Sequence, residues 1–223
     1  MKIKKLTVYS SNIKSQLKFY RDELNFKAKN YSEKSFELVA GYSVLRFEFK
    51  ENATPYHIAL HIPDRQEEEA LAWVENKMVA LQNNREKIID FSNWQAMSVY
   101  FYDKDKNIME FISRRDFSKP ESAIFMPSSI VGIAEIGLVT HNVREKFKEL
   151  NLECGLHKFD GDYERFCAIG DPSGLIITIN NDLKNWFPTG DKACVSDFKL
   201  EFEHEGDYFD LNFNDNQLEI SKK

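Results

Sequence analysis

The chain has 223 residues, 42 % of them hydrophobic and 13 % aromatic, with 18 phenylalanines and a formal net charge of −6 at pH 7. That is enough apolar material for one large domain or two small ones, and it excludes a disordered chain. The acidic balance, with no segment dense in lysine and arginine, argues against nucleic acid or an anionic membrane as partner. No apolar window is long enough to span a bilayer, and three cysteines without CxxC spacing argue against a cysteine-based zinc site and for a reducing compartment, the cytoplasm.

The opening, MKIKKLTVYSSN, lacks the apolar core of a signal peptide and alternates as a first strand over residues 3–9. Asn12 then reads as a helix N-cap, and Ile13, Leu17, Phe19, Tyr20 and Leu24 supply helical spacing. Two strands follow at SFELVA and YSVLRFEF, closed by the turn cluster KENATP. The pattern restarts with the strand YHIALHI. Asp64 and Glu67 have capping-box spacing, and Ala70, Leu71, Trp73, Val74 and Met78 form the apolar face of the next helix. EKIIDFSN, AMSVYFYD and NIMEFISR read as three more strands.

A linker, DFSKPESAIFMPSS, comes next. The pattern then begins a third time, with the strand IVGIAEIGLVT, the short helix NVREKFKEL and a hairpin turning at DPSG. The loop NNDLKNWFPTGDK places Trp186 and Phe187 where they can cap a cavity. The tail alternates as two or three strands without a helix, so a fourth copy is truncated. Cys167, between Phe166 and Ala168, reads as a small buried hydrophobe, and His141 as a helix-start residue.

Within YFYDKDKNIMEFI, Glu110 interrupts an otherwise apolar strand. A carboxylate there needs a metal, a cation or a proton. Tyr9, Trp94, Tyr100 and Tyr102 are either core residues or walls of an aromatic pocket.

Several of these stretches resemble the vicinal oxygen chelate superfamily, which includes glyoxalase I, extradiol ring-cleaving dioxygenases, and bleomycin- and fosfomycin-resistance proteins. KKLTVYSSNIKSQLKFYRDELNF is similar to its opening strand and helix, with Phe19-Tyr20 and Leu24-Asn25-Phe26 matching and Asn25 in place of the usual glycine. YHIALHIPD resembles the first strand of the partner module. YFYDKDKNIMEF and AIGDPSGLIIT resemble its closing hairpin. The resemblance spans nearly the whole chain and is clearest over residues 1–115.

The fold it implies is α+β: paired βαβββ modules forming curved mixed sheets with helices outside. One pair would occupy residues 1–115, residues 116–129 would be a linker, and a degenerate pair would occupy 130–223. In the family, metal ligands come from the first and last strands of each module. Those positions fall on Lys5 and Arg46 in the first module, His57 and Glu110 in the second, and Glu135 and Thr178 in the third. Lysine at neutral pH and arginine are not ligands, so the set is depleted. His61, two residues along from His57, is the nearest candidate for a third ligand.

The resemblance therefore implies an N-terminal cup in which Lys5, Arg46, His57 and Glu110 converge. Glu110 is salt-bridged there to Lys5 or Arg46, and His57 is a ligand or a general base. The cup binds a small anionic or aromatic molecule without a cofactor. The alternative is a divalent-metal dioxygenase or glyoxalase-type lyase using iron, manganese, nickel or zinc on His57 and Glu110. No catalytic residue is assigned. The expected partner is a small molecule, with no nucleic acid and no membrane, and a homodimer stays open as the assembly.

Overall fold

A computed structural model describes residues 1–223. The strand–helix–strands unit recurs as expected. The first copy is β1 (Lys2–Ser10), α1 (Ile13–Lys18), β2 (Ala28–Lys29), β3 (Ser35–Ala40) and β4 (Ser43–Phe49). The second is β5 (His57–Ile62), α2 (Glu67–Glu75), β6 (Ile88–Phe91), β7 (Ala96–Tyr102) and β8 (Ile108–Arg114). The third is β9 (Gly132–Thr140), α3 (Val143–Cys154), β10 (Lys158–Gly161), β11 (Phe166–Asp171) and β12 (Gly174–Asn180). The fourth has only three strands: β13 (Phe198–His204), β14 (Asp207–Asn214) and β15 (Gln217–Lys222). No helix is long and apolar enough to cross a membrane.

In each of the three complete copies the first strand runs parallel to the last: β1 with β4, β5 with β8, and β9 with β12. That leaves the other edge of each first strand open. The edges are closed antiparallel, β1 by β13 and β5 by β9. The result is a seven-stranded sheet, β15-β14-β13-β1-β4-β3-β2, and an eight-stranded sheet, β10-β11-β12-β9-β5-β8-β7-β6. Copies one and four share the first sheet, and copies two and three share the second. This corrects the expected cup of residues 1–115. Any free first-strand edge satisfies another, and here each edge is satisfied by a strand from beyond the linker.

Every residue of β5, β8 and β9 is buried, as central strands covered on both faces must be. The main core contains 43 buried residues drawn from all four copies, among them Ile3, Phe47, Phe111, Ile136 and Phe213. The linker packs rather than tethers: Phe125 is 3 % exposed, with its ring centroid 5.2 Å from Phe111 and 5.8 Å from Trp73.

Local chemistry explains the element ends. Asn12 Oδ1 accepts the Ser15 N–H, and Asn142 Oδ1 accepts that of Glu145, capping α1 and α3. Asn25 has φ 60°, a left-handed conformation that asparagine tolerates, which accounts for its place where glycine is usual. Asp64 does not cap α2. It accepts from Arg115 Nη1 and the Asp116 N–H, while Glu67 accepts from Arg115 Nη2 and Ser113 Oγ. The two acids clamp the end of β8 instead.

The polar turn after β7 is a buried knot. Asp103 accepts hydrogen bonds from the side chains of Gln16, Tyr20 and Asn107, at 2.9, 2.9 and 2.7 Å. Its other oxygen accepts from the N–H groups of Asp105 and Asn107. Asn107 Oδ1 in turn accepts the Tyr56 N–H. Burial still raises the Asp103 pKa to about 6 against these donors. The knot fastens α1 of one sheet's layer to the β7–β8 turn of the other.

Candidate functional site

The site grows from β5. Ala59 stands in register with Glu110 on the parallel neighbour β8 and with Glu135 on the antiparallel neighbour β9. Its methyl group leaves room for the two carboxylates to approach across the strand. His57, two residues earlier and therefore on the same face, completes the group. One donor atom from each of His57, Glu110 and Glu135 lies within 4.8 Å of the others.

Each member is oriented by a neighbour. His57 Nε2 is 2.9 Å from Glu110 Oε2, and Ser98 Oγ on β7 donates to Glu110 Oε1 at 2.5 Å. Arg114 Nη2, at the end of β8, donates to Glu135 Oε1 at 2.8 Å. Arg114 is itself 3 % exposed and sits 5.7 Å from the Trp94 ring. His57 Nδ1 is buried without a hydrogen-bond partner. Burial, then the adjacent Glu110 charge, pushes the Glu135 pKa up to about 7. Burial also keeps the Tyr100 phenol protonated, with Glu110 adding to the effect.

These groups line a cavity of about 610 Å³, whose walls also include Phe91, Trp94, Tyr100, Phe166, Trp186 and Phe187. The loop between β12 and β13 supplies the last two, which cap the cavity as expected, and Trp186 also covers His57. The Trp186 ring lies 5.2 Å from the imidazole. It fits because residue 137 is glycine: a Cβ there would come within 2.5 Å of the Trp186 ring. Tyr102 does not wall this cavity. Its hydroxyl bonds to Asp191 and ties the loop down. Tyr9 lies elsewhere, beneath the Lys50 ammonium.

The structure brings His57 and Glu110 together, as expected, but removes Lys5 and Arg46. Lys5 Nζ and Arg46 Nη1 both reach Glu37 Oε1 at 3.2 Å, and Arg46 Nε also holds Glu48 at 2.6 Å. All four lie on the seven-stranded sheet, so the expected salt bridge from Glu110 to Lys5 or Arg46 is replaced by the bonds to His57 and Ser98. His61 is no third ligand either. Its Nε2 contacts the Ser173 carbonyl, its ring stacks on Phe117 at 4.2 Å, and burial lowers its pKa to about 3. Thr178 faces away from the cavity, and its neighbours Ile177 and Ile179 line it.

The residues present fit a divalent cation. One imidazole and two carboxylates are a donor set suited to zinc, manganese or iron, with an apolar Ile177 where a fourth side chain would stand. Two adjacent buried acids with a single guanidinium between them also call for further positive charge. Glu135 was visible in sequence as a carboxylate on an apolar strand. Its partners were not, because they depend on the β5–β9 seam. Ser98 and Arg114 carried no signal of their own.

A scan against protein-family models finds no match, and no curated protein matches the chain. Solved structures do. A Bacillus subtilis protein described as a "putative dioxygenase" aligns over 100 % of this chain and 84 % of its own, at 13 % identity and TM-score 0.61. A lactoylglutathione lyase from Agrobacterium tumefaciens aligns over 50 % of this chain and 92 % of its own, at 16 % identity and TM-score 0.43. A glyoxalase/bleomycin resistance protein/dioxygenase from Nocardioides aligns over 55 % and 89 %, at 12 % identity and TM-score 0.41. The chain shares its fold with the Bacillus subtilis protein along its whole length.

Proposed function

We propose that the chain is a small-molecule protein of the glyoxalase/dioxygenase type. It holds a divalent cation on His57, Glu110 and Glu135 and takes a planar ligand with two neighbouring oxygen atoms into the aromatic cavity. One observation carries this reading: three donor atoms within 4.8 Å of one another in the wall of a cavity of about 610 Å³. A cation in that position supplies Lewis acidity, polarising the oxygens of a bound ligand.

The chain's own residues do the rest. Ser98 and Arg114 fix the carboxylates in place. Trp186, Phe187 and Phe91 exclude water and offer flat apolar faces for a planar ligand. The Tyr100 phenol lines the cavity, keeps its proton and can donate a hydrogen bond to a ligand oxygen. The description of the Bacillus subtilis neighbour favours the dioxygenase branch of this reading.

The test is metal titration of chelator-free protein with manganese, ferrous iron, nickel and zinc, followed by 1,2-dihydroxybenzene. Saturable uptake of one ion per chain, lost in Glu135→Ala, is expected. Failure of all four ions to bind would leave a metal-free binding protein, and the reading would fall.

A further inference from the structure

Four acids line the cavity: Asp90, Glu110, Glu135 and Asp160. Each has a partner. Glu110 has His57 and Ser98, and Glu135 has Arg114. Asp160 accepts from Trp94 Nε1 at 2.6 Å and from the Gly161 N–H, and Asp90 accepts from Ser92 Oγ.

Lys184 is the one lysine or arginine in the lining, and it has no such partner. Its ammonium lies over the Phe166 ring, 5.7 Å from the centroid, and makes no salt bridge. The charged group nearest in influence is another cation, Arg165, which together with burial lowers the Lys184 pKa. An ammonium held in a half-buried wall beside a second positive charge is poorly satisfied by the protein alone. It sits on the loop that also delivers Trp186 and Phe187.

The geometry points to Lys184 as the residue that reads the substrate: the ligand of this cavity carries an anionic substituent on its planar ring, and that group pairs with the Lys184 ammonium while the ring's two oxygens face His57, Glu110 and Glu135. The inference rests on the cation-and-ligand site proposed above and adds the charge of the ligand and the side chain that selects it. The four acids of the lining are all held by protein donors, so the Lys184 ammonium is the lining charge left without a partner. A neutral ring would leave Lys184 unpaired, whereas an aromatic acid would neutralise it.

The test compares 1,2-dihydroxybenzene, 3,4-dihydroxybenzoate and 3,4-dihydroxybenzenesulfonate, binding to manganese-loaded protein, by quenching of tryptophan fluorescence. In the unaltered chain both acids should bind about tenfold more tightly than the neutral ring, the low end for a charge-assisted bond at a half-exposed site. Tighter binding of the carboxylate alone also supports the inference and identifies the anion as a carboxylate. In Lys184→Met the preference should vanish, with manganese uptake and affinity for the neutral ring unchanged, and Lys184→Arg should restore it.

Equal binding of all three probes by the unaltered chain overturns the role of Lys184 and leaves the cation site standing. So does a preference that survives Lys184→Met. If manganese loads but none of the probes binds, both this inference and the planar-ligand reading fail. If manganese does not load, the failure lies in the proposed function.

Discussion

The two sheets are built from the same unit and carry opposite inner faces. On the seven-stranded sheet, Lys5, Arg46 and Glu37 neutralise one another on a half-exposed surface, with Asn30 donating to the same acid. Burial acts to raise the Glu37 pKa, but Asn30, Lys5 and Arg46 together hold it below the usual carboxylate range. On the eight-stranded sheet the corresponding strands present His57, Glu110 and Glu135 to a cavity roofed by aromatic side chains. Burial there drives a carboxyl the other way, with Glu135 raised to about 7. The comparison separates scaffold from site. Architecture supplies converging strand positions. Whether they form a charge-balanced surface or a buried cluster of acids and imidazole depends on which side chains occupy them and on whether a roof closes over them.

The largest expected difference between the sheets is in metal uptake. Glu110→Ala should weaken manganese binding about a thousand-fold, since it removes one of three charged or basic donors. Glu37→Ala should leave binding unchanged by calorimetry, and equal loss in both variants would erase the distinction. Next comes Asp103→Ala, which strands five donors, four of them buried, where the two layers meet and should cost about 3 kcal/mol, seen as a lower urea midpoint with both sheets unfolding together. Two separate transitions would instead mean the sheets fold independently.

The acids should also differ in pH response. Glu135 binds its proton more tightly folded than unfolded, so its contribution to metal-free stability declines as pH rises from about 4.5 towards about 7. A cation must displace that proton. Apparent manganese affinity should therefore climb by up to about tenfold per pH unit below 7 and level off above it. A flat profile from pH 5 to 8 would show that Glu135 does not contribute. The smallest effect belongs to Glu37→Gln. Its ion pairs are partly exposed, and thermal unfolding should report a loss of about 1 kcal/mol or less.

The repeat of strand, helix and strands was legible because hydrophobic period and turn residues are local properties. So were His57 and Glu110, since polar residues on continuous apolar strands stand out. Which copy pairs with which was not legible. Each complete copy leaves a first-strand edge open, and nothing local says whose edge will close it. That gap misplaced Lys5 and Arg46, which occupy equivalent positions in the repeat but belong to the other sheet. Thr178 failed for a smaller reason: a shift of one residue along β12 exchanges the two faces and brings Ile177 into the cavity. Lys184 lies in a loop without periodicity, where no alternation marks the direction of a side chain.

The seam between β5 and β9 also has a consequence during synthesis. A ribosome that has made the first 115 residues has produced His57 and Glu110 but not Glu135, Trp186 or the strand that closes the β5 edge. Until β9 docks, the nascent chain has an exposed strand edge and two members of an incomplete donor set. On the reading proposed above, the donor set is therefore completed only once β9 has emerged and docked on β5.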